Sequence, residues 1–126
     1  MIEYDNLNEQ YILNIFPELK RQIDEEMQGF DRFLPHVIFG NILNPIVVNL
    51  LKKEKYKQDA QLNKIFEMYE QFAIDGDIET QNLLQVTLLE YLWDEKITFD
   101  RALEMMGEKT KEIWQYIYDY ILVPTE

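Results

Sequence analysis

One histidine and twenty-four carboxylates are the side chains from which this chain could build acid–base or metal chemistry, and it has no cysteine. His36 lies in the string Leu34-Pro35-His36-Val37, among apolar neighbours. A lone histidine in such surroundings reads as a hydrogen-bonded structural residue rather than a base or a ligand. A di-iron bundle needs two Glu-x-x-His pairs, and a zinc site needs cysteines or further histidines. Neighbouring carboxylates such as Glu67/Glu70 and Asp94/Glu95 are expected from the abundance of acids alone. Glu90 stands apart, because it sits inside an apolar helix between Leu89 and Tyr91. A buried carboxylate there would mark a site of chemistry. The plainer reading puts it on a narrow polar face with Gln85 or Thr87, or against a neighbouring helix end.

Two strings imitate ligand loops. Asp75-Gly76-Asp77 with Glu79 begins like a calcium loop, but the residues from Asn82 to Trp93 are helical in pattern, so capping is the better reading. Gly107-Glu108-Lys109-Thr110 contains Gly-x-Lys-Thr without the earlier glycine or the strand of a phosphate loop, and reads as a helix break. No catalytic, metal or cofactor constellation emerges, and the chain is expected not to be an enzyme.

The elements that must position these residues are helices. The stretch from Gly76 to Asp94 organises the rest. Gly76 is expected to end the preceding helix in the left-handed conformation, and Asp77 to cap a new one, with Glu79 in its first turn. From Leu83 to Trp93 the pattern is apolar around most of the circumference, so this helix should be central and covered on several sides. Earlier, Leu7, Tyr11, Ile12, Ile15 and Phe16 show helical spacing, and Pro17 starts a second helix whose stripe is Leu19, Ile23, Met27 and Phe30, ending at Gly29. Residues 29–44 predict a compact, partly buried connection with a short helix or 3₁₀ turn ending at Gly40. Asn44-Pro45 then predicts a new helix start, carried on by Ile46, Val47, Leu50 and Leu51.

Asp59 caps a helix through Leu62, Ile65, Phe66, Tyr69, Phe72 and Ala73. Thr98 is expected to cap a short helix in which Phe99, Ala102, Leu103 and Met106 face inward and which Gly107 stops. Trp114, Tyr116, Tyr118 and Tyr120 alternate as in a strand, but Ile113, Ile117 and Ile121 recur every four residues. No other segment alternates to pair with them, so a last helix over residues 108–122 is predicted, with Pro124 ending the order. The expected fold is all-α: one domain over residues 1–126, built from about six or seven antiparallel helices as a bundle or a HEAT-like right-handed stack.

The net charge of −12 argues against nucleic acid and anionic membrane surfaces and allows a basic protein partner, though acidity also serves solubility. Residues 32–58 form a basic island, mostly Lys52, Lys53, Lys55 and Lys57. Their place after an apolar helix is explained by the negative end of its dipole. Met1-Ile2-Glu3-Tyr4-Asp5 has no basic or apolar region of a secretory signal, and no segment is apolar for the length of a membrane span. With no cysteine, a soluble cytoplasmic protein is expected.

Surplus aromatics beside acids give the one candidate surface. Tyr116, Tyr118 and Tyr120 cannot all share the core that takes Ile113, Ile117 and Ile121. Glu112 and Asp119 lie among them, and Trp93 stands beside Asp94 and Glu95. Exposed tyrosine and tryptophan rimmed by acid suit a protein-binding face; the competing reading is a core with amphipathic tyrosines at its margin.

Taken in order, Phe16-Pro17-Glu18-Leu19, Leu34-Pro35-His36 with Phe39-Gly40, Leu84-Gln85-Val86-Thr87 with Leu89-Glu90-Tyr91-Leu92, and Met106-Gly107 with Lys109-Thr110 resemble a family of small, acidic, helical bacterial proteins of unknown function. Some of these resemble immunity proteins that neutralise the toxins of contact-dependent or polymorphic systems. Glu108 stands where proline is expected. The resemblance implies a binding protein that blocks a basic toxin through an acidic face, with a structural or self-associating helical module, a homo-oligomer included, as the alternative.

Overall fold

The computed structural model describes residues 1–122. Seven α-helices, and no strand, are found among them: α1 (Glu9–Ile15), α2 (Lys20–Met27), α3 (Pro35–Leu51), α4 (Ala60–Asp75), α5 (Ile78–Asn82), α6 (Lys96–Met105) and α7 (Glu108–Ile117). The α5 helix continues without a break into a π-helical segment (Leu83–Leu89) and a 3₁₀ turn (Glu90–Trp93), and the three together form the central helix. A second π-helical segment, Tyr118–Leu122, extends α7. The all-α expectation holds. Pro124 and the side chain of Ile121 lie outside the described residues.

The caps explain where the helices begin. Asp59 accepts a hydrogen bond from the Leu62 amide and Asp77 one from the Thr80 amide, each satisfying a donor the helix cannot. Asp77 also accepts from the Tyr4 amide at 3.0 Å, and Ile2 pairs with Gly76 as an isolated parallel bridge. Gly76 is extended (φ −75°, ψ 146°), not left-handed. Its glycine is required by space instead, since a Cβ there would lie 2.4 Å from the Phe72 carbonyl and 2.9 Å from Thr80 Cγ2. The left-handed residue is Gly29, at φ 89°, where α2 ends.

The largest departure from expectation is α3, which runs unbroken through Gly40, Asn44 and Pro45. Pro45 and Asn41, whose carbonyl loses its partner, both lie on the solvent face, where water can satisfy what the proline leaves open. Asn44 does not cap: its Nδ2 donates to the Thr87 carbonyl at 3.0 Å. Gly40 does not stop the helix: a Cβ there would come 2.9 Å from Thr87 Cγ2. One turn earlier, His36 Nδ1 lies 2.5 Å from Thr87 Oγ1. Positions 36, 40 and 44 share one face of α3, and all three converge on Thr87 in the π-helical segment.

Further corrections are smaller. Thr98 lies inside α6, buried, and donates its hydroxyl to the carbonyls of Glu95 and Leu92; α6 begins without a side-chain cap. Phe30 and Leu103 are exposed rather than inward. The central helix is covered by α3, α4 and α7 and buries Leu83, Leu84, Leu88, Leu89 and Leu92, but leaves Val86 and Tyr91 exposed. One contiguous core joins Ile12, Ile23, Leu43, Tyr69, Leu84, Ala102 and Ile117, drawing on every part of the chain from α1 to α7.

Two outcomes are expected from urea unfolding. Leu88→Ala or Leu92→Ala should cost about 2–5 kcal/mol, as for buried leucines leaving cavities, and losses under about 0.5 kcal/mol at both would deny the helix its central place. Gly40→Ala should destabilise even though alanine favours helix by about 1 kcal/mol. Adding Thr87→Ser, which removes Cγ2, should recover that loss. A Gly40→Ala protein more stable than the parent would mean that the crossing has slack.

Candidate functional site

The α7 helix carries most of the nominated surface, and it is held at its first turn by a residue from another helix. The Glu70 carboxylate of α4 accepts the Lys109 amide at 3.1 Å, the Thr110 amide at 2.9 Å and the Thr110 hydroxyl at 2.8 Å. It therefore fills the positive end of α7, whose own preceding residue is Gly107 and offers no side-chain cap. Gly107 must lack a Cβ, which would fall 2.4 Å from the Glu70 carboxyl carbon. Burial alone would raise the Glu70 pKa. The Thr110 and Lys109 hydrogen bonds and the Lys109 charge outweigh it and hold the group below the ordinary carboxylate value. Thr110, Trp114 and Ile117 bury the inner face.

With that face fixed, the outer residues divide into two groups. Tyr116 and Tyr120 are one turn apart, 48% and 74% exposed, with ring centroids 5.0 Å apart. Glu112 pairs with Lys109 at 3.3 Å, and Asp119 accepts from Gln115 at 2.9 Å; both acids lie beside the tyrosine pair on the outward side of α7. Tyr118 points elsewhere, since two residues along a helix is a rotation of about 200°. Its ring stacks on Trp93 at 5.5 Å, and Trp93 in turn stacks on Trp114 at 4.8 Å and meets the edge of Phe99 at 4.5 Å. Trp93 is thus half-buried in an aromatic stack between the central helix, α6 and α7. Asp94 and Glu95 follow it in the chain and are exposed, and Glu95 pairs with Lys52 at 2.8 Å. Of the eight nominated residues, Tyr116, Tyr120, Glu112 and Asp119 make one face, while Trp93, Tyr118, Asp94 and Glu95 sit on the α6 side.

Two further candidates, His36 and Glu90, are both half-buried. His36 is bound to Thr87 and lies 5.9 Å from the Tyr4 ring. Glu90 is the first residue of the 3₁₀ turn. Half of the basic island closes on the fold: Lys52 pairs with Glu95 and Lys57 with Glu104, while Lys53 and Lys55 are exposed; Arg101 donates to the Leu51 and Lys53 carbonyls at the end of α3. Among the described residues no group of three His, Asp or Glu side chains could hold a metal. Sequence reasoning missed Glu70, counting it as one of many acid pairs. The available signal was a helix start at Gly107 with no capping residue of its own.

Residues 9–120 match the family described as a domain of unknown function, DUF7674, a span from the start of α1 to beyond the end of α7, and the chain belongs to that family. No curated protein and no solved structure matches it. The family description assigns no activity, ligand or partner, so the likeness to immunity proteins rests on the residues quoted above.

Because its pKa is depressed on folding, Glu70 contributes stability that is present above the unfolded value and lost as pH falls through the lower folded one. Glu70→Gln should therefore cost about 1 kcal/mol at pH 7, the scale of a lost cap. The gap between parent and variant, measured by chemical denaturation, should narrow as pH falls below the ordinary carboxylate range near 4.5. A gap that stays constant or widens towards low pH would contradict the capping role.

Proposed function

We propose that this DUF7674 protein is a non-catalytic binding module that docks a basic protein through the Tyr116–Tyr120 face of α7. We further propose that it acts as an immunity protein neutralising a basic toxin domain in the bacterial cytoplasm. The observation that carries this reading is the tyrosine pair itself: two large side chains, exposed and in contact, on a helix whose opposite face is locked into the core. Tyrosine offers wide contact area at little cost in rotamer freedom, and aromatic residues are enriched at protein interfaces. Glu112 and Asp119 supply a charged margin, and the net charge of −12 favours encounter with a basic partner while opposing nucleic acid and anionic lipid. No described helix is long and apolar enough to cross a membrane.

A photoreactive phenylalanine analogue at position 116 should crosslink a basic protein in the native cell. With that partner purified, Tyr116→Ala or Tyr120→Ala should speed dissociation and cost about 2 kcal/mol or more, as for interface anchors. Glu112→Gln with Asp119→Asn should mainly slow association and weaken its dependence on salt, because exposed charges are screened beyond about 8 Å at physiological ionic strength. An acidic partner, or binding indifferent to these changes in a folded protein, would overturn the reading. Capture of a second copy of this chain would replace it by self-association.

A further inference from the structure

The other flank of α7 has different chemistry. Between α6 and α7 lies a cleft of about 260 Å³ lined by Phe99, Leu103, Lys111, Trp114, Gln115 and Tyr118. Phe99 and the exposed Tyr118 give it aromatic walls, and the buried Trp114 lies beneath them, 5.1 Å from Phe99. Leu103 and Tyr118 remain exposed there in the folded chain. Lys20, Lys52, Lys57, Lys96 and Lys109 pair with carboxylates. Lys111, like Lys53, Lys55 and Lys64, has no carboxylate within ion-pair distance among the described residues, and it is the one of these that lines the cleft. The Gln115 amide is turned to Asp119, which leaves the lysine as the polar group free to meet an incoming molecule.

We infer that this cleft binds a small planar aromatic carboxylate, the ring lying against Phe99 and Tyr118 and the carboxylate meeting the Lys111 ammonium. The volume falls just below the usual range for ligand pockets, which suits one or two fused rings rather than a nucleotide or a lipid. The Tyr118 and Phe99 rings supply offset stacking, and the anionic group is chosen by Lys111, the one cation that lines the cleft. The net charge opposes an anion at long range, and exposed charges beyond about 8 Å are largely screened at physiological ionic strength. This site is independent of the Tyr116–Tyr120 face and does not rest on the binding reading above.

The full chain, labelled with ¹⁵N, has only two indole N–H signals, from Trp93 and Trp114. Titration with 2-naphthoate should shift both saturably, and the neutral 2-naphthamide should bind about two- to fivefold more weakly, the range of an exposed ion pair. Lys111→Met keeps the aliphatic stem and should abolish that preference without changing the affinity for the amide. Tyr118→Ala should weaken both probes, while Tyr116→Ala should affect neither. Absence of a saturable shift with either probe, or a carboxylate preference that survives Lys111→Met in a protein with unchanged indole signals, would overturn the proposal.

Discussion

The contact between α3 and the central helix at Thr87 is the constraint on which the rest of the molecule depends. Three residues of α3, each one turn from the next, converge on a single threonine: His36 at its hydroxyl, Asn44 at its carbonyl and Gly40 at its methyl group. The glycine lets the helices approach, and the two polar side chains set the depth and register of the crossing. Asn44 reaches the carbonyl where the central helix changes from wide π turns to a tight 3₁₀ turn, a change that disturbs the regular hydrogen-bond ladder. Once that helix is placed, its π-helical segment, which buries Leu83, Leu84, Leu88 and Leu89, is in contact with α4 and α7.

Helix ends elsewhere are tied by groups distant in sequence. Asp77 joins the start of α5 to the Tyr4 amide, Glu70 joins α4 to the start of α7, and Arg101 of α6 serves the carbonyls at the end of α3. Each device satisfies backbone groups that a helix leaves open and at the same time fixes one helix against another. Such ties add direction that apolar contacts alone do not supply.

Local chemistry was the legible part of the fold. Asp59 and Asp77 announce their helices because a cap needs only the residues that follow, and Leu62, Ile65, Phe66, Tyr69 and Phe72 show their shared face by spacing. What stayed hidden depends on contacts across the chain. Gly40, Asn44 and Pro45 are punctuation in a local reading, yet each is accommodated by a tertiary circumstance: a facing threonine, a carbonyl in need of a donor, and an outward position. Gly76 is a glycine for want of space, not for a left-handed turn, and spacing cannot distinguish the two. In the candidate site, Tyr116, Tyr118 and Tyr120 were recognised together because they alternate. The helical rotation and the pull of Trp93 then separate Tyr118 from its neighbours. The cleft beside Lys111 gave no signal, because a cleft belongs to two helices and to neither sequence.

The pairing of Ile2 with Gly76 and of Tyr4 with Asp77 spans 73 residues in the second case, which gives the molecule a temporal order. A ribosome adds roughly 5–20 residues each second, so the first residues emerge seconds before the acceptor that will hold them has been made. Until then the backbone groups of Ile2 and the Tyr4 amide lack these partners. The opening segment is therefore the last seam of the first half to be sewn. Cotranslational folding reaches this seam only when α4 has been synthesised to its end and the cap of α5 follows.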